Sequence, residues 1–114
     1  MFQEDTISAI ATAPGEGGIG IIRISGHESI AVADKLFVGF KGRTAGQIPS
    51  YQAAYGRIVN PNSGVTVDEA LVLVMRAPHS YTKEDVVEIQ CHGGMIPLRN
   101  ILELTVEQGC RIAE

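Results

Sequence analysis

Between Asp5 and Gly26 the chain reads DTISAIATAPGEGGIGIIRISG. Two short segments rich in β-branched residues flank a stretch that is almost all Gly, Pro and Ala. In the first, Ile7, Ala9 and Ala11 alternate with Thr6, Ser8 and Ile10. In the second, Ile19, Ile21, Arg23 and Ser25 alternate with Gly20, Ile22 and Ile24. A period of two with turn residues at both ends predicts two strands. Arg23 stands out, because its neighbours from Ile19 to Ile24 are all apolar or Gly. A charge in such surroundings is expensive unless it meets a partner.

After Gly26 the period changes. Ile30, Ala33, Leu36 and Phe37 recur at helical spacing, which predicts a helix over His27 to Val38. Ser25 and Glu28 offer a capping box, and Gly39 a C-terminal cap. The stretch 39–50, with three Gly and Pro49, reads as an exposed connection. Tyr51 to Val59 reads as a strand with Ala53, Tyr55, Arg57 and Val59 on one face. The turn Asn60-Pro61-Asn62-Ser63-Gly64 joins it to a strand over Val65 to Arg76. The apolar run Ala70 to Met75 predicts a central strand buried on both faces. A polar loop, Ala77 to Asp85, follows. Val87, Ile89 and Cys91 then alternate with Val86, Glu88 and Gln90, so Glu88 and Gln90 share one face of a strand. His92-Gly93-Gly94 ends it. A helix runs from Ile96 towards Gly109, with Pro97 in its first turn, and Cys110 to Glu114 begins a further strand. The order strand, strand, helix, three strands, helix predicts an α+β fold, a mixed sheet with helices on one face.

Composition narrows the function. The chain has 114 residues, enough for one domain with one core. Its net charge is −4, which argues against autonomous nucleic-acid binding. Aromatics are 5% and Trp is absent, which argues against a base-stacking platform. Glu4 and Asp5 stand where a signal peptide carries Lys or Arg. The longest apolar run, Ala70 to Met75, is far short of the ~20 residues that span a bilayer. Cys91 and Cys110 form no CxxC, so they read as reduced thiols of a cytoplasmic protein without membrane contact.

Gly15, Gly17 and Gly20 satisfy G-x-G-x-x-G, but the dinucleotide fingerprint needs a helix next, and Ile21 to Ile24 reads as strand. No Gly-Lys-Ser/Thr is present, so a P-loop is excluded. The glycines serve either a wide hairpin loop or a close approach by a ligand or second subunit. Arg23 and Glu88 are the candidate pair. One reading is a structural ion pair between strands. The other is recognition of a polar heterocycle, whose N–H edge a carboxylate accepts while the arginine meets a second polar group. His92, Gly93 and Gly94 precede a helix, as ordinary capping or as an anion site. His27, His79, His92, Cys91 and Cys110 lack zinc spacing, and no Ser/His/Asp triad is apparent, so no metal ligand and no catalytic residue is assigned.

Two segments, Asp5 to Gly26 and YTKEDVVEIQCHGG (Tyr81 to Gly94), closely resemble the amino-terminal domain of the MnmE/TrmE family of tRNA-modification GTPases, and Asp68 to Met75 resembles the strand before the second motif. The resemblance covers essentially the whole chain and implies a tetrahydrofolate-binding, homodimer-forming domain over residues 1–114. Its fold would be half of an aminomethyltransferase folate-binding body, completed by a second chain. It implies that Arg23 and Glu88 contact a 5-formyl- or 5,10-methylene-tetrahydrofolate. For the full-length enzyme it implies GTP, Mg2+ and K+, a flavin-dependent partner protein, and tRNA whose wobble uridine is modified at carbon 5. The helical domain, the GTPase domain and a carboxyl-terminal cysteine motif are not in this chain, which is expected to be a fragment without GTPase activity. A purely structural dimerisation module and a nucleotide-binding oxidoreductase domain are the competing readings.

Overall fold

The computed structural model describes residues 5–11, 18–80, 83–92 and 94–113. Seven strands form one sheet: β1 (Ile7–Ile10), β2 (Ile19–Ser25), β3 (Phe37–Gly39), β4 (Gln52–Val59), β5 (Thr66–Met75), β6 (Val86–His92) and β7 (Arg111–Ile112). Their spatial order is β3-β4-β5-β6-β2-β1-β7. All neighbours are antiparallel except β1 and β7, which run parallel, so the sheet is mixed as expected. Two helices, α1 (Ser29–Leu36) and α2 (Met95–Glu107), cover one face.

The alternation of the sequence decides which face is covered. Ile22 and Ile24 of β2, Val72 and Val74 of β5, and Val87 and Ile89 of β6 point the same way and are fully buried. Val32, Ala33 and Leu36 of α1 and Leu98, Ile101 and Leu104 of α2 complete this core. Successive residues on a strand face opposite sides, so Arg23 and Glu88 must lie on the other face. Slipping β2 against β6 by one residue would drive both charges into the core, and the core therefore fixes the register.

Four local expectations are corrected. The Ser25–Glu28 capping box does not form: Glu28 is the N-cap without a side-chain cap, and its N–H is taken instead by Thr6 Oγ1 at 3.0 Å. Thr6 thus ties the first strand segment to α1. Gly39 is not a helix cap. The helix ends at Leu36 because Phe37 turns extended and starts β3, whose pairing with β4 outcompetes a further turn. The stretch 39–50 is not merely an exposed connection: two short 3-10 turns, Phe40–Gly42 and Ala45–Gln47, sink Ala45 and Ile48 into the core. Finally, β5 is not buried on both faces. Leu71 is 44% exposed, because no layer covers the outer face there.

That outer face is closed only at one end. Met75 and Val86 are buried, and the Ser25 hydroxyl donates to Glu84 from the 77–85 loop. Further along, Ile19, Tyr55 and Leu71 stand in solvent.

Gly26 makes the turn from β2 into α1 with φ of +135°, and a Cβ there would lie 2.7 Å from the Thr6 backbone. Gly26→Ala combines a disfavoured backbone with a clash that no flexible side chain can relieve. We expect a loss of about 3 kcal/mol in urea-denaturation stability.

Candidate functional site

Arg23 and Glu88 stand directly opposite each other in the β2–β6 ladder. The guanidinium donates from both Nε (2.9 Å) and Nη2 (2.6 Å), and both bonds land on Glu88 Oε2. Glu88 is 5% exposed, whereas the Arg23 side chain is 39% exposed. A pair built only for stability tends to use the fork geometry, one N–H to each carboxylate oxygen. Here Oε1 accepts no hydrogen bond from the described residues, yet it is not sealed from solvent. A buried carboxylate is thus held ionised by a cation on one oxygen and offers the other to an incoming donor.

The next outward residue of β6 is Gln90, opposite Ile21 on β2 and Leu71 on β5. From there an open depression of about 330 Å3 spreads along the face, lined mainly by Ile19, Tyr55, Leu71, Gln90 and His92. Its floor is apolar. Its rim carries Glu69, whose carboxylate accepts from the Tyr55 hydroxyl and pushes that phenol's pKa up.

His92 ends β6, and the structure gives it a partner that the sequence reading missed. Asp68 of β5 accepts the His92 backbone N–H at 2.9 Å through Oδ2, and its Oδ1 lies 2.7 Å from His92 Nδ1. A single acidic residue at the entrance of an apolar strand was the only available signal, and its meaning depends on a pairing 24 residues away. Gly94 is the N-cap of α2. Gly15, Gly17 and Gly93, invoked above for a loop and an anion site, lie outside the described residues.

Gly20 lies within β2 and is followed by strand to Ser25. The dinucleotide fingerprint therefore lacks its helix, and the oxidoreductase reading falls. Close packing explains this glycine instead: a Cβ would meet Leu98 of α2 at 2.6 Å.

Comparison with known proteins agrees with the motifs. The family described as GTP-binding protein TrmE N-terminus matches residues 6–114. The chain belongs to this TrmE family. It is 53% identical over its whole length to the tRNA modification GTPase MnmE of Alkaliphilus oremlandii, of which it covers 25%. It is 54% identical over 97% of its length to the enzyme of that name from Symbiobacterium thermophilum, covering 24% of it. With that of Carboxydothermus hydrogenoformans the identity is 52% over 99% of the chain, again covering 24%. The chain thus spans about a quarter of the length of these TrmE relatives.

In this TrmE chain Cys91 faces the core, 5% exposed, opposite in direction to Glu88 and Gln90. Burial, with Asp68 nearby, pushes its thiol up from 9.0 to about 11. Burial also raises Cys110. At pH 8 a two-unit rise leaves about a hundredfold less thiolate than an unshifted cysteine, and the thiolate is the nucleophile. Iodoacetamide at pH 8 should therefore label the folded chain at least tenfold more slowly than the urea-unfolded chain. The raised pKa favours folding fully below pH 9, and this contribution fades as pH climbs through 11.

Proposed function

We propose that this chain is the tetrahydrofolate-binding and dimer-forming amino-terminal part of a tRNA-modifying GTPase. One observation carries the ligand reading: Glu88 is buried on the face away from the core, with one oxygen engaged by Arg23 and the other unclaimed. A reduced pterin presents an amino group and a ring N–H side by side, and a carboxylate is their natural acceptor. The residues present therefore fit the group. Glu88 would hold the pterin edge. Arg23, half exposed beside it, would keep Glu88 ionised and meet a second polar atom of the ligand. When bound, the tetrahydrofolate would supply a one-carbon unit. The chain's own part is to grip, orient and partly dry the carrier.

Membership of the TrmE family and the names of the relatives support the wider assignment: modification of the wobble uridine of tRNA at carbon 5, with GTP hydrolysed elsewhere in the longer protein. GTP, Mg2+, K+, the flavin-dependent partner protein and tRNA belong to that longer protein. Within the 114 residues no Gly-Lys-Ser/Thr offers a phosphate cradle. The uncovered apolar stretch of the sheet, with Ile19, Tyr55 and Leu71 exposed, supports a second copy of the chain completing the site. Among the described residues no helix is long and apolar enough to cross a membrane, which is in keeping with work in the cytoplasm.

The test is calorimetric titration with 5-formyltetrahydrofolate. The wild-type chain should bind it saturably. Glu88→Gln preserves shape but removes the charge, and loss of a charge-assisted hydrogen bond of about 1.5–3 kcal/mol should weaken binding roughly 10- to 100-fold. A well-folded wild-type chain that binds nothing would favour the purely structural dimerisation module. In sedimentation at micromolar concentration the chain should run as a dimer; a monomer would remove the two-chain site.

A further inference from the structure

The Asp68–His92 pair has no part in the grip on the pterin, yet it stands on the same face of the same strand as Glu88. Glu88, Gln90 and His92 are alternate residues of β6. At roughly 3.3 Å per residue, His92 lies about 13 Å along the strand from Glu88. The depression begins at Gln90 and ends at His92. Its apolar floor of Leu71, Ile19 and Tyr55 suits a flat aromatic ring, and 330 Å3 has room for one.

Charge decides what part of a ligand can reach the far end. Asp68 and Glu69 of β5 face His92, with Tyr55 of β4 beyond Glu69. Cys91 on its own strand is a neutral buried thiol. Ile19, its partner on β2, is apolar, and Met95 to Leu98 of the first turn of α2 carry no charge. Two carboxylates repel a ligand carboxylate and welcome a nitrogen. Asp68 takes the Nδ1 side of the imidazole, which selects the tautomer with its lone pair on Nε2. The His92 side chain is 68% exposed, so Nε2 is free to meet a ligand.

We propose that the depression receives the arylamine arm of the folate, and that His92 exchanges a proton through Nε2 with the amine nitrogen of that arm. This rests on the folate reading above and extends it. As the bond between that nitrogen and the one-carbon unit breaks, the nitrogen keeps the electron pair and His92 gives it a proton. The other amine nitrogen of the carrier donates its lone pair to the carbon in compensation. When the bond forms again, His92 takes the proton back. No oxidant or reductant enters. Asp68 acts as a positioning residue that holds the ring and its tautomer.

The test combines 15N NMR of the histidines with calorimetry in two buffers of different ionisation enthalpy. In the free chain His92 should show the Nδ1–H tautomer. Saturation with 5-formyltetrahydrofolate should shift its Nε2 resonance, and binding at pH 6.5 should take up or release a measurable fraction of a proton. Tetrahydropterin, which lacks the arm, should bind without shifting Nε2. His92→Gln should keep affinity within about fivefold but abolish the proton exchange, and Asp68→Asn, with His92 present, should reduce it. Glu88-dependent binding with an unmoved Nε2 resonance, or with the same proton count in both variants, overturns the role of His92 and leaves the folate site standing. If the chain binds no folate at all, both readings fall.

Discussion

A carboxylate buried on the side of the sheet that has no helices is the constraint around which this domain is arranged. Glu88 is as inaccessible as many core residues, yet it lies on the opposite face from the core. Removing a carboxylate from water costs several kcal/mol unless a cation stands against it. Arg23 meets that need from the adjacent strand, at a position set by the seven-residue β2–β6 ladder. The ladder in turn is held by Ile22, Ile24, Val87 and Ile89, packed under the helices. The apolar core thus does two jobs. It stabilises the fold, and it fixes the register that brings two charges together on the far side.

This explains why so much of the domain is legible in its sequence. Strands β1, β2, β4, β5 and β6 announce themselves by alternation, and the two helices by their three-to-four spacing. Arg23 and Glu88 are visible because each is a charge among hydrocarbons, and the fold brings them within hydrogen-bond distance. What was not legible depends on contacts distant in sequence. β3 has three residues and exists only because β4 offers an edge. Thr6 replaces the expected cap across a separation of 22 residues. Ala45 and Ile48 sit in a Gly-rich stretch that looks solvated until the turns fold it inwards. Asp68 gives no sign of its bond to His92, because that bond forms where the β5–β6 pairing runs out. The apolar run of β5 misled for a related reason: an uninterrupted hydrophobic strand reports that both faces need cover, not that this chain supplies it.

That last point joins the fold to the site. One end of the outer face is roofed by the 77–85 loop, through Glu84, Met75 and Val86. The other end is open over Ile19, Leu71 and Tyr55. Between them lie Arg23 and Glu88. A charge pair in the middle of such a face feels two environments at once: a dry wall that strengthens its electrostatics and an opening that admits a ligand. If the open end were roofed within the chain, Glu88 Oε1 would be a buried acceptor without a donor, at a cost of about 1–3 kcal/mol or more. If the roofed end were open, water would screen the pair and blunt its selectivity.

The same balance argues for which surface must stay small and which must stay apolar. Gly20 lets α2 press against β2 so closely that Leu98 fills the space a side chain would need. That contact flattens the helical layer against the sheet and leaves the outer face as the only one with room. Leu71 and Tyr55 gain nothing by standing in water, since the core is complete without them. Their cost is recovered only when something apolar lies on them, at about 25 cal/mol for each Å2 removed from solvent. A flat ring anchored at one end by Glu88, or a second sheet face, would recover it. The direction of the cavity along β6, away from the roofed end, is the feature that lets one anchored ligand reach both the charge pair and the exposed hydrocarbon.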